Sequence, residues 1–219
     1  MTVTRRQYRR EGEESRRAAL IAATQSLVAE GGPEAATVRA IASRAGVTAG
    51  LIRHYFQTKE ELIRAAYRAL MDGMIDSGAD AVRSVESGPE ARLAVFIAAT
   101  LRPPVMHTDS LVLWAGYMHK LRNDPDLLSV HEAAYLAYRD TLEGLIVQLP
   151  RKATPEQLRS EAIACNALLD GLWIEGSLLP TSFAATELIT IGLRACGAIL
   201  GVNLLNHTDL LPEFGKPAT

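Results

Sequence analysis

The sequence predicts an all-α protein of about nine helices, and three observations carry that prediction. Good helix formers, chiefly Ala, Leu, Arg and Glu, dominate the 219 residues. Apolar residues recur at helical spacing over long stretches, while alternating β-branched runs are few. Proline breaks, several paired with Gly or a second Pro, separate those stretches.

Residues 1–13 read as a basic, polar and flexible arm. A first helix follows over about 14–30, with Ala18, Ile21, Ala22, Gln25, Leu27 and Val28 tracing its inner face. Gly31-Gly32-Pro33 ends it, since glycine suits a left-handed cap and proline cannot continue the helix. Thr37 is placed to cap a short helix to about residue 44, whose inner positions are Val38, Ile41, Ala42 and Ala45. Gly46 stands where the chain must turn sharply and a Cβ would hinder it. Thr48 then caps a third helix to about residue 55, with Val47, Ile52, Tyr55 and Phe56 turned inward. Thr58 opens a long fourth helix to about residue 85, and Glu61 three residues on completes a capping box. Beyond Ser87-Gly88-Pro89 a helix over about 90–101 runs to the break at Arg102-Pro103-Pro104. Four more are expected over about 110–122, 126–149, 155–179 and 182–200, separated at Pro125, Pro150 and Pro180. The tail from Asn203 is expected to be only partly ordered.

Bulk properties narrow the function classes. The N-terminus lacks the apolar core of a signal peptide, and no stretch approaches the roughly 18 apolar residues of a membrane span, so a cytoplasmic protein with no membrane partner is expected. Cys165 and Cys196 show no CxxC pairing and read as small buried core residues, with a redox role the lesser alternative. No GxSxG, GxGxxG or P-loop pattern is present. The histidines (His54, His107, His119, His131, His207) form no i, i+4 pair and no HExxH. Neither an enzyme nor a metal site nor a cofactor is expected. The net charge of −2 conceals an asymmetry: residues 1–60 hold ten basic and six acidic residues, a net of +4, which leaves −6 on the remainder. A positive head on a negative body suits a protein that presents one end to phosphates.

That positive head contains two short helices joined at Gly46, the shape that enters a DNA major groove. The string TVRAIASRAGVTAGLIRHYFQTKEEL, with His54-Tyr55-Phe56 followed by Lys59-Glu60-Glu61-Leu62, resembles the TetR family of bacterial transcriptional repressors. A shorter piece, Ala167-Leu168-Leu169-Asp170-Gly171-Leu172-Trp173, looks like the BetI-like subgroup of choline-responsive repressors. The resemblance implies a DNA-binding helix-turn-helix domain with a basic arm over residues 1–58. It also implies an effector-binding and dimerisation domain over 59–219, with the last two long helices pairing between subunits. Its partners would be a palindromic double-stranded operator, a second copy of the chain and a small-molecule effector.

Matched position by position, the resemblance puts Thr37, Tyr55 and Lys59 where phosphate contacts are made and His54 where the backbone is often touched. Thr48, Ala49, Gly50, Leu51 and Arg53 are the positions left to face base edges. Arg53 replaces a commonly aromatic residue, and two readings of it stand level: a bidentate grip on guanine O6 and N7, or a phosphate clamp. Leu51 meets a thymine methyl or packs on the neighbouring helix. The cluster Arg5–Arg10 reads either as a DNA-following arm or as a solvated tail. In the body, Trp114 and Tyr117 lie three apart, as do Tyr135 and Tyr138, and Trp173 follows Asp170 by three. Aromatic faces beside an acid are what a quaternary ammonium ligand requires. Trp114, Tyr117, Tyr138, Asp170 and Trp173 are therefore the candidate ligand residues for choline or another organic cation. Core or interface packing is the alternative for each pair. A rival is an apolar drug or lipid lined by Leu93, Phe96, Ile97, Leu101, Leu111 and Leu113.

Overall fold

The computed structural model describes residues 5–118 and 120–212, with side chains from Gly12 onward. His119 and the side chains of the Arg5–Arg10 cluster lie outside the described residues. The described chain forms nine α-helices and two 3-10 turns, with no strand among the described residues. The helices are α1 (Arg5–Gly31), α2 (Val38–Arg44), α3 (Ala49–Tyr55), α4 (Lys59–Arg83), α5 (Pro89–Thr100), α6 (Thr108–Met118), α7 (Pro125–Ile146), α8 (Pro155–Leu178) and α9 (Glu187–Leu200). The 3-10 turns are Pro33–Ala35 and Leu204–Leu210.

Two compact units result. The first holds residues up to Leu70 together with Val112–His131, and the second holds Met71–Leu111 and Glu132 onward. In the first, α1 buries Leu20, Ala23, Thr24 and Val28. Gln25 donates its side-chain amide to Ala66 O on α4 at 2.9 Å, tying α1 to α4. Tyr67 and Tyr117, both fully buried, meet edge to face with ring centroids 5.1 Å apart, and the Tyr67 hydroxyl is 2.8 Å from His131 Nδ1. Arg64 of α4 pairs with Asp124 at 3.2 Å, and Asp124 also caps α7 by accepting from the Leu127 amide at 3.0 Å.

The second unit is built around α5, in which every residue from Leu93 to Thr100 is buried. Residues α8 and α9 supply to this core include Cys165, Leu169, Leu193 and Cys196. The two thiols lie within hydrogen-bonding reach of each other and remain free, consistent with small core residues. Gly192 lets α9 approach α5 closely, since a Cβ there would come 2.6 Å from Leu101 Cδ1. Trp173 is buried with its indole N–H donating to Val105 O at 2.9 Å.

Most helix ends follow the sequence reading, and two do not. The first helix begins at Arg5 instead of residue 14, because the Arg- and Glu-rich arm is itself made of good helix formers. The last begins at Glu187 instead of residue 182, after a turn in which the Glu187 carboxylate accepts from the Ala184 amide at 3.0 Å. Residues 203–212 are packed as well, with Leu204 and Leu211 buried.

Candidate DNA interface and effector site

The first unit presents its two short helices by local chemistry. Thr37 Oγ1 accepts from the Ala40 amide at 3.1 Å and fixes the start of α2. Gly46 takes φ 65 between α2 and α3, a left-handed turn that disfavours other residues. Thr48 Oγ1 accepts from the Leu51 amide at 3.3 Å and starts α3. Ile52, 2% exposed, is the buried anchor of α3, and Phe56 just beyond it is 1% exposed. With those two positions turned inward, Thr37, Thr48, Ala49, Gly50, Arg53 and His54 are exposed, and Leu51, Tyr55 and Lys59 are half-buried. The His54 ring sits edge-on to Tyr55 at 5.1 Å. Glu61 completes the box at α4 with a shift of one residue: its amide donates to Thr58 Oγ1 at 3.1 Å, while its carboxylate accepts from the Gln57 amide at 2.8 Å.

Two arginines of the basic head turn out to be structural. Arg44 forms a bidentate pair with Glu30, both contacts at 2.7 Å, and binds α2 to the end of α1. The Arg44 guanidinium, helped by Ser26, holds the Glu30 carboxyl down at about 2. Arg17 lies over the Phe56 ring at 4.7 Å, a cation–π contact joining α1 to the end of α3. Sequence reasoning missed that role, since Arg17 and Phe56 are far apart along the chain and only the fold brings them together.

The five candidate ligand residues divide between the units. Trp114 and Tyr117 belong to the first, whereas Tyr138, Asp170 and Trp173 belong to the second. Tyr117 is a core residue whose hydroxyl has no partner among the described residues. In the second unit Tyr138 and Asp170 share one polar cluster. The Tyr138 hydroxyl is 2.9 Å from Thr100 Oγ1, and its ring is 5.3 Å from that of Phe96. Asn166, buried one turn before Asp170, donates to Asp170 Oδ2 at 3.0 Å. Burial raises the Tyr138 phenol, and the nearby Asp170 carboxylate adds to that rise. Asp170 keeps an exposed face while protein crowds its other side. Desolvation there raises its carboxyl to about 6, against the Asn166 hydrogen bond. Asn166 was open to detection from its i, i+4 spacing to Asp170; Thr100, on another helix, was not. The six residues of the apolar rival are buried core, between 0% and 9% exposed.

Comparisons with known proteins identify the family. Residues 20–66 match the family described as bacterial regulatory proteins, tetR family, and residues 89–201 match the BetI-type transcriptional repressor C-terminal domain. The HTH-type transcriptional regulator BetI 2 of Chromohalobacter salexigens is 33% identical over 181 residues, 80% of this chain and 84% of that protein. BetI of Cronobacter sakazakii is 30% identical over 164 residues, 74% and 80% of the two chains. Among solved structures, a transcriptional regulator from Pseudomonas aeruginosa PAO1 aligns with TM-score 0.74 and 29% identity over 90% of this chain and 94% of that one. A regulator from Saccharomonospora viridis, solved in complex with choline, shares the fold at TM-score 0.68 and 18% identity, over 87% and 97%. The chain belongs to the TetR family and is a transcriptional regulator with a BetI-type C-terminal domain.

Proposed function

We propose that the protein is a homodimeric repressor whose hold on a palindromic operator is released by a small organic cation, choline being the first candidate. The observation that carries the effector reading is the Asp170 carboxylate, bound by Asn166 at 3.0 Å and close enough to the Tyr138 phenol to raise it. An ionised acid supplies the counter-charge for a quaternary ammonium, and the Tyr138 and Phe96 rings supply aromatic faces. The choline complex of the Saccharomonospora viridis regulator, on the same fold, supports this choice of ligand. The dimer reading is supported by Ile163 and Leu178 on α8 and by Ile191 and Ile199 on α9, large apolar side chains left exposed in the single chain. A two-fold dimer presents two α3 helices to two half-sites, so a palindromic operator follows from its symmetry.

Release requires the ligand to bind the DNA-incompetent state better than the competent one. Calorimetric titration of the purified protein with choline tests the site, and operator binding with and without choline tests the switch. Saturable binding is expected, weakened about tenfold or more in Asp170→Asn as one charge interaction is lost, with operator affinity in the absence of ligand unchanged. An absence of heat at millimolar choline would exclude choline as the effector. Unweakened binding in Asp170→Asn would move the site elsewhere.

A further inference from the structure

Cys165 of α8 and Cys196 of α9 are the two cysteines of the chain, 31 positions apart, and neither enters the proposed function. The packing of α8 on α9 sets them face to face. Near the connection a Cβ on Gly176 would come 2.6 Å from Leu188 Cδ1, and further along a Cβ on Gly192 would come 3.6 Å from Leu169 Cδ2. The contacts move away from the connection on both helices together, so α8 and α9 run antiparallel. One turn beyond Leu169 and Gly192, that register brings Cys165 opposite Cys196. Both are 0% exposed, and both are free. Ala162 and Leu200, a further turn along, are buried as well, so the pair lies inside the helix contact and not at its end. Neither sulfur belongs to the exposed apolar surface of Ile163, Leu178, Ile191 and Ile199 that the proposed dimer covers.

We infer that Cys165 and Cys196 are an oxidisable pair: a peroxide converts them to a disulfide that staples α8 to α9 within one subunit, and a thiol reductant reopens it. Peroxide is small enough to reach the pair through local opening of the two helices. The Cys196 thiol donates to the Cys165 sulfur, which lowers the Cys165 thiol from its ordinary value and raises that of Cys196, while burial resists ionisation of both. A thiolate is the nucleophile in thiol chemistry, so Cys165 reacts first. Its sulfur attacks one peroxide oxygen and the O–O bond breaks, giving a sulfenic acid and a water that carries off the thiol proton. Cys196 then attacks that sulfur, the S–O bond breaks, and its proton leaves with the departing hydroxide as a second water. Two thiols thus lose two electrons and two protons, and one peroxide is reduced to two waters. Tyr138 lies near enough to both sulfurs for them to add to the rise of its phenol, so the bond forms beside the Asp170 cluster. Its formation does not depend on what that cluster binds.

Treating the full chain, reduced and freed of reductant, with hydrogen peroxide tests the inference, with intact mass and alkylatable thiols followed over time. A loss of two hydrogens and of both alkylatable thiols is expected, in a species that runs as one chain on a non-reducing gel and reverts with dithiothreitol. Cys196→Ala is expected to stop at a sulfenic acid on Cys165 that dimedone traps, and Cys165→Ala to show no such adduct over the same time. The wild-type mass decides the question where a variant fails to fold. A bond that fits the native packing closes a loop of about 31 residues, so the Tm of the oxidised chain is expected to rise by about 5 °C or more. Two thiols that survive peroxide, a bond between chains instead of within one, equal dimedone adducts in the two variants, or a fall in Tm on oxidation would each overturn the inference.

Discussion

Arg53 and Lys59 are only six positions apart, but their surroundings differ. Arg53 is exposed on α3, one residue after the buried anchor Ile52, on the face the proposed function gives to the groove. Lys59 is half-buried at the start of α4, beside the acids Glu60 and Glu61. A guanidinium that reads guanine distinguishes bases by about 1–3 kcal/mol, whereas an ammonium on a phosphate adds affinity without sequence preference. Arg53→Ala is therefore expected to alter base preference at one position per half-site in a panel of operator variants. Lys59→Ala should weaken all variants alike and reduce the slope of log affinity against log salt by about one. A uniform loss across the panel for Arg53→Ala would assign it to phosphate instead. The exposure of Arg53 was legible because the family string fixes its register and Ile52 fixes which face is buried. Arg17 and Arg44 were not, because each owes its place to a partner on another element, Phe56 and Glu30 respectively.

At the scale of elements, α2 and α3 are only seven residues each, too short to persist on helix propensity alone. Their ends carry much of the burden: the Thr37 and Thr48 caps and the left-handed turn at Gly46. Removing a threonine cap costs about 1 kcal/mol, and placing alanine at positive φ costs a comparable amount. A Cβ at Gly46 meets nothing within 4 Å, so the expected loss is one of backbone conformation and not of packing. Gly46→Ala should lower stability by about 1 kcal/mol in chemical denaturation, and Gly46→Asn by less, since asparagine tolerates the left-handed region better. Equal losses in the two variants would point to a steric cause. The same chemistry explains which helix ends the sequence disclosed. Threonine caps, glycine turns and Gly-Pro or Pro-Pro breaks are local signals, and the ends they mark fall within a few residues of expectation. The start of α9 has no such signal. Thr186 makes no side-chain cap, and the preceding turn depends on a carboxylate three residues ahead, within a stretch whose Phe and Ala are compatible with helix. The start of α1 was hidden by charge: six arginines before Ala18 suggested a solvated arm, although arginine and glutamate are also good helix formers.

For the molecule as a whole, a ligand site shows itself as stability that the ligand-free chain forgoes. In the proposed function Asp170 is such a group. Its carboxyl is raised from 3.8 to about 6 by desolvation, so between those values the folded chain holds a proton that the unfolded chain has released. The sign follows by linkage: the native state binds more protons in this window, so the contribution of Asp170 to stability falls as pH rises from about 4 to about 6 and stays low above it. Asparagine carries no titrating proton and can still accept the Asn166 hydrogen bond. The Tm of Asp170→Asn minus that of wild type is therefore expected to grow across that pH window and to level off above it. Saturating choline should narrow the gap at pH 7, since the cation stabilises the ionised carboxylate of wild type and gains less from the variant. The same proton governs the ligand: choline affinity should fall below about pH 6 in wild type and be flat in the variant. A Tm difference that does not change with pH would show that Asp170 titrates like a solvated carboxylate. The composition of this cluster explains why it was only half legible. Tyr138 and Asp170 stood out because aromatic residues are few and each lies three positions from an aromatic residue. The cluster around them also takes Thr100 from α5 and Asn166 from α8, and no stretch of sequence contains α5, α7 and α8 together.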